Sequence, residues 1–275
     1  MQEVKILTDS INPFNNRRFT TFQLKYPRIV HAEVLTHRVF SRNAGSSRAK
    51  PVSTILGSDV FIPDFFGSNK PGMQPGEPIA EQVLAKKIWL DCHKQVLKYT
   101  KKLQDLNVHK QWANRMIEPF TYIDVVLSST EWDNFFELRT DQSAQYEIRM
   151  LAEEMKKLLS ESKPNKIRMD LHTPYVTEEE KSEIQDVYLF CLISAARCAR
   201  VSYKPFDSET SDFNKDIELG KRLLESKHMS PFEHIGLPSS IDNFYYNIRG
   251  WKSFRYLLER TNYFEENRKN GLTST

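Results

Sequence analysis

From Ile79 to Leu103 the apolar residues Val83, Leu84, Ile88, Trp89, Val96, Leu97 and Leu103 keep a helical period for about seven turns. One helix of that length sets the scale of the molecule. Only nine glycines occur in 275 residues, roughly half the usual share, which also favours long helices over many tight turns. At 39% hydrophobic residues the chain can bury a sizeable core, so collagenous and disordered classes are excluded.

Other segments carry their own periods. Residues 19–26, Phe-Thr-Thr-Phe-Gln-Leu-Lys-Tyr, alternate with Phe22, Leu24 and Tyr26 on one face, which predicts a half-buried strand stopped by Pro27. A helix is expected over 27–38, then a polar loop over 41–48. Residues 51–78, rich in proline and glycine, read as an irregular excursion. Amphipathic spacing predicts a second helix over 144–159, ending before Pro164, and further helices over 178–199 and 212–225. Residues 163–177 are the best linker candidate, and the polar end 265–275 is expected to be frayed.

Charge narrows the function classes. Thirty-nine Lys and Arg against 36 Asp and Glu leave a formal charge of +3, with basic residues spread among acids, which argues against nucleic-acid binding. The longest apolar run, Tyr188 to Ala196, is far short of the roughly 18 residues of a membrane span. The N-terminus lacks signal-peptide features. Three cysteines, Cys92, Cys191 and Cys198, fit a reducing cytoplasm better than a disulfide framework.

Three clusters could carry chemistry. Thr36-His37-Arg38 followed by Ser46-Ser47-Arg48 could hold phosphate or carboxylate, since guanidinium forks match such oxyanions, or could be a solvated loop. The segment Glu131 to Ile148 mixes aromatics and charges too irregularly for a simple helix face, and on residues alone also reads as a core patch with surface ion pairs. The third is Arg200-Val-Ser-Tyr203 with His228-Met-Ser-Pro-Phe-Glu-His234. His228 and His234 lack a companion set at metal-ligand spacing, so no metal is expected. There is no Gly-x-Ser-x-Gly elbow, no Gly-x-Gly-x-x-Gly and no Walker loop.

Together the clusters resemble the flavin-dependent thymidylate synthases, the ThyX family. Its Arg-His-Arg, seven residues, Ser signature is matched by Thr36-His37-Arg38 and Ser46 in three of four fixed positions. Asn134-Phe-Phe-Glu-Leu-Arg139-Thr-Asp141 with Ala144-Gln145-Tyr-Glu-Ile148 resembles the second signature, and Arg115 with Pro119 its Arg-x-x-x-Pro. Ala199-Arg-Val-Ser202 and His228 to His234 resemble segments that ordinarily come first and here come last. The expected arrangement is therefore a circular permutation: a ThyX-like part over 1–162, a joint over 163–178, a second ThyX-like part of the same domain over 179–264, and a flexible tail over 265–275.

The resemblance implies an α+β fold, a central sheet flanked by long helices. It implies reductive methylation of dUMP, with methylenetetrahydrofolate as carbon donor, NADPH as reductant and FAD as hydride relay. A cytoplasmic homotetramer with active sites between subunits is also implied, in the host cytoplasm if the chain is phage-encoded. Arg139 would stabilise negative charge on the uracil ring as the catalytic residue. Ser46, Ser47, Arg48, Arg115 and Arg139 would hold the nucleotide, while His37, Arg38, Asn134, Ser202, His228 and Ser230 would hold FAD.

Several positions depart from the family. Thr36 replaces its first Arg, Ala44 an acidic residue, Ala49 a Tyr and Ser143 a His found in some members. Glu33 stands where Gln is frequent. These departures motivate two alternatives: a flavin enzyme making a hydroxymethylated deoxypyrimidine nucleotide from dUMP or dCMP, or a catalytically silent nucleotide-binding homologue.

Overall fold

The computed structural model describes residues 2–166, 171–184, 186–202 and 212–261. Its centre is a mixed five-stranded sheet built from β1 (Glu3–Ile11), β2 (Arg18–Pro27), β3 (Ser41–Ala44), β4 (Tyr122–Ser129) and β5 (Asn165–Lys166), in the order β3-β4-β2-β1-β5. β2 pairs antiparallel with both β1 and β4. The register sets Phe22 opposite Leu127, Leu24 opposite Val125 and Tyr26 opposite Ile123. Side chains alternate across a strand, so these six project from one face.

The helices, in chain order, are α1 (His31–Leu35), α2 (Val52–Leu56), α3 (Gln82–Asp105), α4 (Lys110–Ala113), α5 (Asp133–Arg139) and α6 (Tyr146–Glu161). The later ones are α7 (Glu178–Glu183), α8 (Val187–Ala199), α9 (Phe213–Glu225) and α10 (Phe254–Arg260). On the apolar sheet face, α5 contributes Phe135 and Phe136, and α6 contributes Ile148, Leu151, Ala152 and Met155, to one fully buried cluster. Each such side chain contributes about 1.5–3 kcal/mol when removed from water.

The opposite face was expected to be exposed, and it is not. Thr21 and Gln23 of β2 are buried beneath residues from the second half of the chain. Thr21 Oγ1 shares hydrogen bonds with Ser128 Oγ (2.6 Å) and His172 Nε2 (2.7 Å), and Tyr175 Oη donates to Gln23 Oε1 (2.9 Å). Cys198 and Val201 pack on Val126 of the same face. Polar alternation in β2 therefore marks a buried but hydrogen-bonded face rather than a wet one.

Five further expectations change. Residues 41–44 form β3, because β4 offers a free edge whose backbone groups they pair. The expected 178–199 helix is two: α7 stops at Glu183, and Asp186 caps α8 by accepting from the Tyr188 amide at 2.8 Å. In the expected linker, Leu171, His172 and Thr173 are buried, with His172 bridged to Gly236. The 51–78 excursion is anchored by α2 and by Phe61, whose ring meets Trp89 edge-on at 6.1 Å. The helix expected over 27–38 shortens to a 3-10 turn, Arg28–Val30, plus α1. The expected fraying of 265–275 lies outside the described residues.

Two small sheets complete the second half: β6 (Gly236–Pro238) with β9 (Trp251–Ser253), and β7 (Phe244–Tyr245) with β8 (Ile248–Arg249). α8 and α9 pack closely at Gly220, where a Cβ would lie 2.7 Å from the Leu192 carbonyl oxygen. That contact sets where α9 presents its side chains. Among the described residues no helix is long and apolar enough to cross a membrane.

Candidate active site

Arg139 closes α5, and the burial of Phe135 and Phe136 turns it toward α1. Each of its three guanidinium nitrogens donates one hydrogen bond. Nη1 donates to Glu33 Oε2 (3.0 Å), Nε to His37 Nε2 (3.1 Å) and Nη2 to Thr36 Oγ1 (3.3 Å). His37 sits edge-on to Phe135, with ring centres 5.0 Å apart. Burial, and secondarily the Arg139 charge, hold its imidazole below the ordinary histidine pKa. The neutral ring can then accept at Nε2, which puts its proton on Nδ1.

A cavity of about 900 Å³ opens between β3, α9 and the ends of α8 and of the Ser46–Lys50 loop. Arg42, Arg48, Arg200, Arg222, His228 and Ser230 line it, and among the described residues no carboxylate does. Arg42 also reaches the Arg139 cluster, donating from Nη1 to the carbonyl oxygens of Phe40 (3.2 Å) and His37 (3.4 Å). Among the described residues, Arg200 is the one cavity arginine with an ion pair, to the buried Asp216, which also receives Arg197 Nε at 2.9 Å.

The loop carrying Ser46 to Arg48 is fixed from below. Ser47 Oγ donates to Glu118 Oε1 (2.5 Å), Asn114 Nδ2 donates to the Ser47 carbonyl (2.8 Å), and Arg28 Nη2 to the Gly45 carbonyl (2.8 Å). Glu118 further pairs with Arg28 (3.6 Å) and Arg115 (3.5 Å).

The residues expected at the site thus fall into groups. Arg48, His228 and Ser230 share the cavity, and His37 and Arg139 share the neighbouring cluster. Ser47 faces inward and braces the loop, while Ser46 beside it is partly exposed. Arg115 stands out from the loop's base, 59% exposed, and Arg38 and Asn134 are exposed outside both groups. Ser202 ends a short 3-10 turn, Arg200–Ser202, and its side chain lies outside the described residues. Arg42 and Arg222 were missed by the sequence reading. Arg42 sits in a segment read as loop, and Arg222 is one of several charges on an amphipathic helix.

The donor set suits a phosphorylated flavin, because several guanidiniums, with no competing carboxylate among the described residues, match phosphate oxyanions. Comparison with known proteins points the same way. Residues 13–165 match the family model described as thymidylate synthase complementing protein. A flavin-dependent thymidylate synthase of Pseudothermotoga lettingae is 30% identical over 146 residues, 51% of this chain. The chain spans about three fifths of that relative's length, 61%. Two structures of the UMP/dUMP methylase PolB from Streptomyces cacaoi share the fold. The 5-Br UMP complex has a TM-score of 0.51 at 17% identity, covering 58% of this chain and 89% of that one. The 5-Br dUMP complex has a TM-score of 0.50 at 16% identity, covering 58% and 91%. With more than half of its length matched by the family model, this chain belongs to the family of the flavin-dependent thymidylate synthases.

Proposed function

We propose that the chain catalyses reductive methylation of dUMP to dTMP, with methylenetetrahydrofolate as carbon donor and NADPH as reductant. The observation that carries this reading is the Arg139 cluster joined through Arg42 to a cavity lined, among the described residues, by cations and no carboxylate. FAD, when bound, supplies the hydride. The protein's part is to bind, orient and polarise. His228 and Ser230, with the cavity arginines, hold the flavin side, and Arg48, with Ser46 and Arg115, holds the nucleotide phosphate. Ser47 holds the loop that presents them. Arg139 faces charge that develops on the uracil ring and lowers its energy by preorganisation, its three acceptors keeping the guanidinium in place. Arg38, Asn134 and Ser202 remain assigned to the flavin by family resemblance.

The circular permutation belongs to the same proposal. The family match ends at residue 165, before the Ala199–Ser202 and His228–His234 segments. Those later segments pack on the sheet that the earlier ones build, as the hydrogen bond of 2.7 Å between Ser128 Oγ and His234 Nδ1 illustrates, which supports one domain. Cytoplasmic location and a homotetramer with sites between subunits complete the reading.

A second reading, transfer of a hydroxymethyl group to dUMP or dCMP, draws on two observations. Ala44 lines the cavity where an acid is usual, and Glu33 occupies Arg139. The visible absorption spectrum of the purified protein, before and after dUMP, tests the common part. A flavin spectrum that shifts with dUMP supports flavin and nucleotide sharing one site. A protein that stays colourless after FAD and dUMP are supplied excludes the enzyme reading.

A further inference from the structure

A second concavity, of about 340 Å³, opens between the loop over 65–78 and the start of α6, and none of the residues assigned above lines it. Phe65 and Tyr146 form one corner, their rings 5.4 Å apart and near perpendicular at 81°. Lys70, Gln74, Gln142 and Arg149 supply polar lining, with Glu77 as the one lining carboxylate among the described residues. Arg149 is held in place. Its Nη1 donates to Gln142 Oε1 at 2.7 Å, its guanidinium lies 5.6 Å from the centre of the Tyr146 ring, and Glu153 stands 3.8 Å from its Nε. Lys70 has no hydrogen bond or ion pair among the described residues. The base of the loop is pinned by Gln82, which donates from Nε2 to the carbonyls of Phe66 (2.7 Å) and Ile79 (2.9 Å) and accepts the Phe66 amide at Oε1 (2.8 Å).

We infer that this concavity takes the aminobenzoylglutamate tail of a folate, with Phe65 and Tyr146 against the ring and Lys70 and Arg149 facing the carboxylates. The assignment rests on the proposed function, in which methylenetetrahydrofolate is the carbon donor. A flat ring can stack on one aromatic face while meeting the edge of the other. Ammonium and guanidinium donors match carboxylate oxygens, and the Gln74 and Gln142 amides suit the amide that links ring to glutamate. The volume is at the small end for ligand pockets, so it holds the tail and leaves the pteridine outside. Gln142 is three residues past Arg139, which puts their Cα atoms no more than about 11 Å apart. The pteridine can therefore extend from the pocket toward the uracil ring that Arg139 faces. An adenosine with a 2′-phosphate, as in NADPH, is also a ring with an anion. Two cations on separate elements match the two spread carboxylates of glutamate better than one compact phosphate.

The test titrates the purified full-length protein by calorimetry with p-aminobenzoyl-L-glutamate and, separately, with adenosine 2′,5′-bisphosphate. Lys70→Gln and Phe65→Leu are compared with Lys101→Gln, an exposed cation of α3 that serves as control. Aminobenzoylglutamate should bind the wild type. Lys70→Gln should weaken it about tenfold, the scale of one lost charge-assisted contact, and Phe65→Leu about threefold, while Lys101→Gln does not. In turnover, Lys70→Gln should raise KM for methylenetetrahydrofolate by a similar factor and leave KM for dUMP as it is. Aminobenzoylglutamate binding that depends on Lys70 in a protein that forms no dTMP leaves the site standing and removes the methylation reading. Aminobenzoylglutamate binding that is absent, or unchanged in Lys70→Gln, overturns the assignment even where dTMP forms. Bisphosphate binding that is lost in Lys70→Gln also overturns it, in favour of the other co-substrate.

Discussion

The carboxylate of Glu33 meets the guanidinium of Arg139 at 3.0 Å, joining α1 to the end of α5 across the first and second signature segments. Both side chains are partly exposed, 33% and 20%, so the pair contributes only about 0.5 kcal/mol to stability. Its consequence is orientation. Arg139→Ala is expected to leave the fold and flavin content intact while lowering turnover by about two to three orders of magnitude. Single-turnover rates measured on flavin-loaded protein check this, and an unchanged rate removes Arg139 from the chemistry.

His37 links that arginine to pH. Its folded pKa is lowered by burial and by Arg139, so the neutral ring is the form the fold favours. For a depressed group the stabilisation is complete above the ordinary value of about 6.5 and is lost as pH falls through the folded value. Once protonated, the ring no longer accepts from Arg139 and repels it. Turnover should therefore show an acid limb that His37→Gln, which keeps an acceptor, flattens. An identical acid limb in the variant assigns it to another group.

A second acid-sensitive feature lies in the core. Ser10, His172, Thr21, Ser128 and His234 form one buried hydrogen-bonded chain, through His172 Nδ1 to Ser10 Oγ at 2.9 Å and Ser128 Oγ to His234 Nδ1 at 2.7 Å. Burial lowers His234 to about 3, and burial with the neighbouring His234 lowers His172 well below its usual value. Both are depressed, so stability falls as pH drops below about 6.5, by about 2 kcal/mol from His234 alone at pH 5. Urea unfolding at pH 7 and pH 5 should show the loss, and His234→Gln should reduce it. A midpoint independent of pH contradicts neutral histidines at these positions.

Gly220 is the contact on which α9 depends. A methyl group there meets the Leu192 carbonyl oxygen at 2.7 Å and its Cβ at 2.9 Å, both on a packed helix. Gly220→Ala should cost about 1–3 kcal/mol by overpacking. Urea unfolding of the variant beside the wild type checks this. A variant as stable as wild type means that the two helices can separate freely.

The long α3 and α6 helices and the β2 strand were legible because their apolar periods extend over many residues. β1 was not, since Val4 and Ile6 are only partly buried and its pattern is weak. β3 was hidden because Ser41, Arg42 and Asn43 are polar and form a strand only by pairing with β4. Of the candidate site, His37, Arg139, Arg48, His228 and Ser230 were readable through motif resemblance. Arg42 and Arg222 were not, because what marks them is a shared cavity between segments 180 residues apart, which no local pattern encodes. Ser47 shows the reverse: a motif position whose side chain the fold turns inward onto Glu118.

Mass spectrometry of the nucleotide formed from dUMP, methylenetetrahydrofolate and NADPH tests the central claim most directly. The account predicts dTMP, formed only when all three substrates and the flavin are present, and nearly abolished in Arg139→Ala. A product that retains an extra oxygen, or unchanged dUMP with flavin bound, contradicts it.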